Sequence, residues 1–464
     1  MEQNSDPYNL AYYGLKLIEK KSSEIKCAEI FFEKNRYINL EIEENSIKNS
    51  EIGEDYGFSI RVINMKGSLG FAFTNKIEKK AVEKILDYSI KMMRAGTVDP
   101  DFRNLPDSVN KYPVVNNLFD KDIKNLQIKD SIDYVKDLIK VCEEDELALS
   151  QTGSFISNYS KTYIFNSNGL EVSGKDTSCS VSSHIIVKDK MSKDTSFGYE
   201  WQSERNLKNI NSTETAKTAL EDAKKNLNRK KVKKMKVPLI LTPKGTINLI
   251  LRPIASALNA ETFQHKRSFL FDKRDEIIGS QYLNIEDNGL IDGAIGSSIF
   301  DGEGVPCKNK KVFTEGKLLK TGLLHNSYTA GKESVESTGN ASRNSYSSIP
   351  SIGISNFIMK RGDTSIKEII GDLKEAIILD YTGDSPNITT GDFSGLILHG
   401  NIIKNGEIKN SLNETMIGIN LMDLFQKIDA VSKEIKIYGP FQAPYVKVKD
   451  VQIIGGANWR KSKI

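Results

Sequence analysis

The sequence is poor in the residues that stabilise secreted domains or hold metal ions. Among 464 residues there are four cysteines and four histidines. The cysteines lie far apart, at positions 27, 142, 179 and 307. This spacing argues against a disulfide framework and against a cysteine-type zinc site, and it suits a reducing compartment.

Long apolar runs and an excess of one charge are also missing. No segment reaches the roughly 18 apolar residues that a membrane-spanning helix needs, and the opening MEQNSDPYNL lacks the basic and apolar parts of a secretory signal. The 65 basic and 61 acidic residues leave a net charge of +4, which gives no general attraction to nucleic acids or membranes. We therefore expect a cytoplasmic protein that binds no membrane.

What is present is an ordinary globular composition, with 38% hydrophobic and 27% charged residues, arranged in two kinds of pattern. Residues 1–236 combine alternating segments with amphipathic helical ones, which predicts an α/β domain with an antiparallel sheet and flanking helices. Asn168-Gly169 marks a hairpin turn, and a linker helix capped by Asn211 is predicted over residues 211–230. Residues 237–464 are rich in short strand patterns and glycine turns, which predicts a mostly β domain. The predicted fold class is α+β.

The densest group of candidate binding residues lies between Phe300 and Arg343. Glycines in this stretch would let the backbone approach a ligand closely, because they carry no Cβ. Asp301, Glu303, Asn340 and Arg343 could then hold a polar ligand. Turn formation is the alternative, since acidic, amide and hydroxyl side chains often hydrogen bond to their own backbone.

Nucleic-acid binding has one candidate, the basic run Arg229–Lys236. Basic residues in the last turn of a helix also complement the helix dipole. No aromatic residue interleaves with them, as stacking on single strands would require. The pattern favours a solvated helix end, and we do not expect a nucleic-acid partner.

Several glycine-containing segments, in the same order along the chain, resemble the TldD/PmbA family. These segments are Phe300–Pro306, Glu315-Gly316, Ser337–Asn340, Gly391–Gly395 and Asn405–Glu407. The stretch from residue 57 to residue 74 is similar to an early hairpin of the same family. The resemblance spans essentially the whole chain and is strongest from about residue 237 to residue 457.

One helix distinguishes the two branches of this family. In the TldD branch it carries His-Glu-x-x-x-His, whose histidines bind zinc and whose glutamate activates water. Here Arg252 and Ala257 stand in place of the histidines and Pro253 in place of the glutamate, and none can donate a lone pair to zinc. No cysteine follows Cys307 to match the late cysteine ligand of that branch. The helix resembles the TldE/PmbA branch, and Pro253 predicts a kink in it.

The resemblance implies a metal-free TldE/PmbA-type subunit of a heterodimeric TldD–TldE zinc peptidase that degrades or matures unfolded peptides. It implies no metal or cofactor in this chain, with zinc held by a TldD-type partner. The chain would contribute chamber wall and strands that bind peptide backbone. The residues expected at the substrate or partner interface are Asp301, Glu303, Asn340, Arg343, Asp392 and Ser394.

Two other functions stay open from the sequence. One is a stand-alone homodimeric peptide-binding protein without catalysis. The other is a nucleic-acid-associated regulator that uses Arg229–Lys236, for which steep salt dependence of DNA retention would be the sign.

Overall fold

Two β-sheets organise the chain, and the computed structural model describes residues 6–455. The strands of the N-terminal sheet are β1 (Ile25–Glu43), β2 (Ser46–Asn64), β3 (Leu69–Thr74), β4 (Ala148–Asn166), β5 (Glu171–Lys188) and β6 (Thr195–Glu204). They pair antiparallel in the order β3-β2-β1-β4-β5-β6. The helices are α1 (Pro7–Glu19), α2 (Lys79–Ala95), α3 (Lys121–Asn125), α4 (Ile128–Glu143) and α5 (Ser212–Lys225), with a 3₁₀ turn at Leu207–Asn209.

Two long hairpins, β1 with β2 and β4 with β5, form the middle of this sheet. The first turns at Glu44-Asn45, where both residues have positive φ. The second turns at Asn168-Gly169, which confirms the predicted hairpin. Gly169 has φ +81°, a conformation that a residue without Cβ adopts at no steric cost.

The N-terminal sheet has one apolar and one polar face because side chains alternate along its strands. The apolar face packs against α1 and α2 on one half and against α4 and α5 on the other. Along β5, the odd-numbered residues from 177 to 187 are buried on this face, while the even-numbered ones are half-buried on the other. The polar face is turned towards the C-terminal part of the chain.

The C-terminal part is mostly β, as predicted. Its strands are β7 (Lys230–Lys231), β8 (Met235–Leu241), β9 (Ile285–Asn288), β10 (Asn309–Thr314), β11 (Lys317–Leu318), β12 (Ala341–Ser342), β13 (Ser351–Ile352), β14 (Asn356–Met359), β15 (Glu375–Thr382), β16 (Asp392–Lys404), β17 (Glu407–Asn413), β18 (Thr415–Asn420), β19 (Ile428–Tyr438) and β20 (Phe441–Gly455). Its helices are α6 (Pro243–Thr246), α7 (Arg252–Ala257), α8 (Ala260–Gln264), α9 (Ser327–Glu333), α10 (Ile366–Gly371) and α11 (Leu421–Gln426), with a 3₁₀ turn at Lys320–Gly322.

Five of these strands form a closed sheet. β8 pairs with β15, β15 with β16, β16 with β18, β18 with β20, and β20 again with β8. Apolar side chains from all five strands belong to the largest core cluster of the molecule. The closed arrangement gives this part a rigid frame from which the loops between β9 and β14 extend.

The helical segment that contains Pro253 is continuous but irregular. It begins with α6, passes through a π turn at Ile247–Leu251 and ends with α7. The Arg252 amide donates to the carbonyl of Ile247, five residues back. Proline lacks an amide hydrogen, so Pro253 cannot donate the hydrogen bond that a regular helix would have at this position. The π turn just before Pro253 is the local adjustment that accompanies this missing hydrogen bond.

The linker helix is shorter than predicted. It begins at the expected cap, where the Asn211 side chain accepts from the Glu214 amide, but it ends at Lys225 instead of residue 230. The chain then forms β7, which pairs with residues 412–413 of β17. The basic run is therefore strand and connection, because pairing with β17 replaces a further turn of helix.

No helix within residues 6–455 is long and apolar enough to cross a membrane. All four cysteines are buried and free.

Candidate functional site

Four buried charged residues join the N-terminal sheet to the C-terminal loops. Glu29 on β1 and Arg61 on β2 are direct cross-strand neighbours. One nitrogen of Arg61 donates to Glu29 at 2.9 Å and to Glu303 at 3.0 Å, and Arg343 donates to the other oxygen of Glu29. We call Glu29, Arg61, Glu303 and Arg343 the charged cluster. It links strands and loops that lie more than two hundred residues apart in sequence.

The charged cluster contains equal numbers of positive and negative groups, which allows its burial. Burial opposes ionisation of Glu303, but Arg61 and the amide of Ser327 outweigh it and lower the pKa of this carboxyl. Burial also lowers the pKa of Arg343, although Glu29 acts in the opposite direction. Arg343 further donates to the carbonyl of Gly302 at 2.7 Å and lies 4.4 Å from the centre of the Phe31 ring.

Asp301 shapes the loop next to this cluster. One oxygen of its side chain accepts from the amides of Glu303 and Val305, at 2.9 and 3.0 Å, and the other accepts from Ala341 at 2.9 Å. Gly304 completes the turn with φ +82°. Burial, reinforced by the negative charge of Glu303, raises the pKa of Asp301 to about 7.

Asn340 fixes a second loop. Its amide donates to Asp287 at 2.8 Å and to the carbonyl of Gly353 at 2.9 Å. Asp287 is fully buried and is also contacted by Lys310 at 3.0 Å and by the Ser355 amide at 2.7 Å. Asn340 therefore holds the loop around residue 353 against β9.

These loops form one wall of a cleft of about 710 Å³, whose floor is the polar face of the N-terminal sheet. The register places the floor residues in rows across β1, β4 and β5. These rows are Glu33–Thr162–Gly174, Asn35–Ser160–Asp176 and Tyr37–Asn158–Ser178. The wall above this floor includes residues 295–302, 339–343 and 353–355. We call this space the cleft.

Several of the charged side chains that line the cleft are engaged by partners within the protein. Arg205 donates to Asp176 at 2.9 Å and to the carbonyl of Ser297 at 3.0 Å, which ties the floor to the wall. Glu33 accepts from the amide of Tyr346 at 3.0 Å, and burial raises the pKa of its carboxyl. The surface available to a ligand is therefore dominated by hydroxyl, amide and backbone groups, which suits a polar but uncharged chain such as a peptide backbone.

The structure divides the six residues expected at an interface into two groups. Asp301, Asn340 and Arg343 line the cleft, and Glu303 supports it from the charged cluster. Asp392 and Ser394 lie on the exposed side of β16, where Asp392 accepts from Asn420 at 2.9 Å, and neither lines the cleft.

The residues at the three diagnostic helix positions do not fit a metal centre. Arg252 is exposed, and its guanidinium lies 5.5 Å from the centre of the Phe441 ring. Pro253 and Ala257 are buried in the core. Elsewhere within residues 6–455, no group of three or more His, Cys, Asp or Glu side chains is arranged to hold a metal ion. The helix that carries zinc ligands in the TldD branch has no comparable chemistry here.

Comparison with models of known protein families gives matches over most of the chain. Sequence models of the PmbA/TldA metallopeptidases match at residues 28–92 for domain 1, 121–227 for the central domain and 234–455 for the C-terminal domain. The chain belongs to the PmbA/TldD family. This family assignment confirms the resemblance inferred from the glycine-containing segments.

Individual relatives agree with this assignment. A metalloprotease of Methanocaldococcus jannaschii is 26% identical, with 86% of this chain and 88% of the relative covered. A metalloprotease PmbA homolog of Buchnera aphidicola is 27% identical, with 92% and 93% covered. The crystal structure of TldE from Thermococcus kodakarensis superposes with a TM-score of 0.85 over 96% of this chain and all of that one, at 23% identity. This last likeness establishes the fold.

Sequence reasoning missed the strand residues of the site. Glu29 and Arg61 occupy buried positions in otherwise apolar strand patterns, and a charge at such a position is a signal that a buried partner exists. The floor residues follow an alternation of polar side chains in β4 and β5 that could have indicated a polar sheet face. Which distant loop covers that face depends on tertiary structure.

Proposed function

We propose that this chain is the metal-free, TldE-type subunit of a heterodimeric TldD–TldE zinc peptidase that degrades or matures unfolded peptides. The observation that carries the proposal is the helix with Arg252, Pro253 and Ala257. At the positions where the TldD branch has ligands and a base, this chain has an exposed guanidinium, a buried ring and a buried methyl group. The metalloprotease names of its relatives supply the reaction class.

The cleft supports a role in holding peptides. Its floor is rich in hydroxyl and amide side chains, which can accept from and donate to a peptide backbone whatever its sequence. The chain would thus form part of a chamber wall, while hydrolysis takes place at zinc in the TldD-type partner. Substrate would be restricted to unfolded segments, because only an extended chain can lie along such a surface.

The loops beside the charged cluster support the same role indirectly. Asp301, Asn340 and Arg343 use their polar atoms on the loops that form the wall of the cleft. In this proposal they are positioning residues, which set the shape of the wall. Peptide groups would instead meet the backbone and the floor side chains.

The nucleic-acid alternative has less support. Arg229 pairs with Asp194, and Lys231 pairs with Glu414 at 2.6 Å. The basic run is thus divided between ion pairs and a strand, without an aromatic platform beside it.

Reconstitution with a TldD-type chain that carries His-Glu-x-x-x-His tests the proposal. We expect this chain alone and the partner alone to leave an unstructured peptide essentially intact, and the mixture to hydrolyse it. The matched control is the same mixture with the partner's glutamate changed to glutamine, which should be inactive. An inert mixture would contradict the proposal, and a stable homodimer that binds peptide without joining the partner would favour the stand-alone alternative.

A further inference from the structure

A second cavity, of about 440 Å³, lies beside the helical segment that ends in α7. Its lining is rich in aromatic rings and contains a few charged groups. The lining residues are His184, Phe197, Tyr199, Trp201, Lys244, Ile247, Asn248, Arg252, Asp380, Tyr381, Leu398 and His399. We call this cavity the aromatic pocket. Its volume lies within the range of small ligand sites in proteins.

The rings form a continuous surface on the polar side of the sheet. Phe197, Tyr199 and Trp201 alternate along β6 and therefore point to the same face. Tyr199 and Trp201 stack with ring centres 5.3 Å apart, and Phe197 stacks on His184 at 5.2 Å. His399 meets Phe197 from the opposite side at 4.3 Å. A planar group entering the pocket would find ring faces and edges on several sides.

The charged residues around these rings differ in whether they already have a partner within the protein. Lys244 is engaged by Glu200 and Asp222, each at 3.3 Å, and donates to the carbonyl of Tyr199. Asp380 accepts from Thr242 at 2.6 Å. Arg252 is exposed, and within residues 6–455 it has no ion pair or side-chain hydrogen bond. One cationic hydrogen-bond donor is therefore free at the rim of the pocket.

His399 adds a buried ring to the lining. The residue is 5% exposed, and its Nε2 atom is buried without a hydrogen-bond partner among the described residues. Burial lowers the pKa of His399 to about 4, so the imidazole is neutral at pH 7. Because this nitrogen has almost no accessible surface, His399 offers the pocket its neutral ring and not a hydrogen-bonding group.

The aromatic pocket and the cleft are neighbours of a third, smaller cavity of about 340 Å³. This cavity shares the lining residue Arg252 with the aromatic pocket. It shares Gly353 and Ile354 with the cleft. We call these three neighbouring cavities the groove, and Arg252 lies where the smaller cavity borders the aromatic pocket.

We propose that the aromatic pocket binds one aromatic side chain of a peptide whose backbone lies in this groove, with Arg252 donating to an oxygen of that peptide. The inference rests on the proposed function in taking a peptide as the ligand, and it adds a position where the side chain matters. Recognition elsewhere in the groove would depend on backbone, but this position would prefer phenylalanine, tyrosine or tryptophan.

The charges favour this ligand over two others. A cationic side chain could use the rings and Asp380, but the unpaired guanidinium of Arg252 at the rim would repel it. A single-stranded nucleic acid could also stack on the rings, but the cleft offers its phosphates few free cations, because Arg205 is paired with Asp176 and Arg343 with Glu29. Proteins that bind such strands line the path of the phosphates with cations.

Tryptophan fluorescence provides a direct test, because Trp201 lies in the aromatic pocket. The chain has one other tryptophan, Trp459, outside the described residues, and Trp459→Phe leaves Trp201 as the only reporter. This variant would be titrated with unstructured ten-residue peptides that differ at one position, phenylalanine against serine. We expect a change in Trp201 emission and binding about tenfold tighter for the phenylalanine peptide. Equal affinities would overturn the inference.

Two variants in the same background locate the contact. Tyr199→Ala removes a ring that is already 42% exposed, so the fold should persist, and we expect the preference for phenylalanine to fall severalfold. Arg252→Gln should weaken binding of both peptides, whereas Arg361→Gln, at another exposed arginine, should leave binding unchanged. A phenylalanine preference that survives Tyr199→Ala would contradict the assignment of the pocket.

Two further measurements, nucleic-acid binding and peptide hydrolysis, distinguish the remaining outcomes. Tighter binding of a ten-residue oligothymidylate than of the phenylalanine peptide, measured by the same emission, would overturn the inference in favour of nucleic acid. Hydrolysis of both peptides at equal rates by the reconstituted mixture, without a fluorescence preference, would overturn the aromatic pocket alone and leave the proposed function standing. A fluorescence preference with an inert mixture would support the pocket and contradict the peptidase role.

Discussion

The charged cluster supports the wall of the cleft and the aromatic pocket lies beside α7, and the two regions differ in how their polar groups are used. In the charged cluster, Glu29, Glu303 and Arg343 each contact an oppositely charged partner within the molecule. In the aromatic pocket, Arg252 has no such partner among residues 6–455.

This difference separates residues that hold the fold from residues that are available to a ligand. A ligand at the charged cluster would have to break buried ion pairs, which is costly. A ligand in the aromatic pocket would only displace solvent from ring faces and from one exposed guanidinium. The segment between Phe300 and Arg343 is therefore mainly a structural support. The groups that are available to a ligand lie on strands and on the helical segment that ends in α7.

The largest expected effect is the loss of stability when the charged cluster is broken. Arg61→Met should lower the free energy of unfolding by about 3–5 kcal/mol, because it leaves two buried glutamates without their shared cation. Denaturant unfolding followed by circular dichroism measures this change. The matched control is Arg94→Met, which removes the exposed pair with Glu24 and should cost less than about 1 kcal/mol. Similar losses for both variants would remove the distinction drawn between the two regions.

The second effect is a pH dependence that comes from Asp301. Its pKa is about 7 in the folded chain, well above the ordinary value of 3.8, so folding takes up a proton between about pH 4 and pH 7. The contribution of this carboxyl to stability is therefore most favourable at low pH and declines as the pH rises towards 7, by at most about 1.4 kcal/mol per pH unit.

Asp301→Asn removes this titration, although it also weakens the hydrogen bonds to the loop amides. We expect the stability of the unmodified protein minus that of the variant to shrink as the pH rises from 5 to 7 and then to level off. Denaturant unfolding at pH 5, 6, 7 and 8 measures the difference. A difference that stays constant over this range would show that Asp301 does not titrate there.

The smallest expected effect concerns zinc at Arg252. Arg252→His restores one histidine of the TldD-type helix, but Pro253 and Ala257 still provide neither base nor second ligand. We expect no tight zinc binding by isothermal calorimetry and no hydrolysis by the isolated variant. Tight zinc binding would mean that other residues of the chain complete a metal centre.

The N-terminal elements could be predicted well from periodicity, but their lengths could not. Alternating patterns predict two strands, at residues 28–33 and 37–43, but the structure has one strand, β1, since polar residues between them continue the alternation on the floor of the cleft. Helical spacing predicts one helix from about residue 121 to residue 142, but the structure interrupts it between α3 and α4 at Leu126-Gln127, where the backbone is extended. The cap at Asn211 was predicted correctly, because it acts through a local hydrogen bond that the sequence contains.

The site was only partly accessible from the sequence. The segment from Phe300 to Arg343 was identified because its glycines and acids are close together in the chain. Glu29 and Arg61, which complete its charge balance, come from strands far away, and no local pattern connects them to Glu303. The aromatic pocket was not predicted because its rings come from β5, β6, β15 and β16, and only the fold brings these strands together.

The zinc content of the purified chain tests the central claim most directly. The protein would be dialysed against buffer with micromolar zinc, then against metal-free buffer, and measured by elemental analysis beside a TldD-type chain treated in the same way. The account predicts far less than one zinc per molecule in this chain and close to one in the TldD-type control. Close to one zinc per molecule in this chain would contradict it.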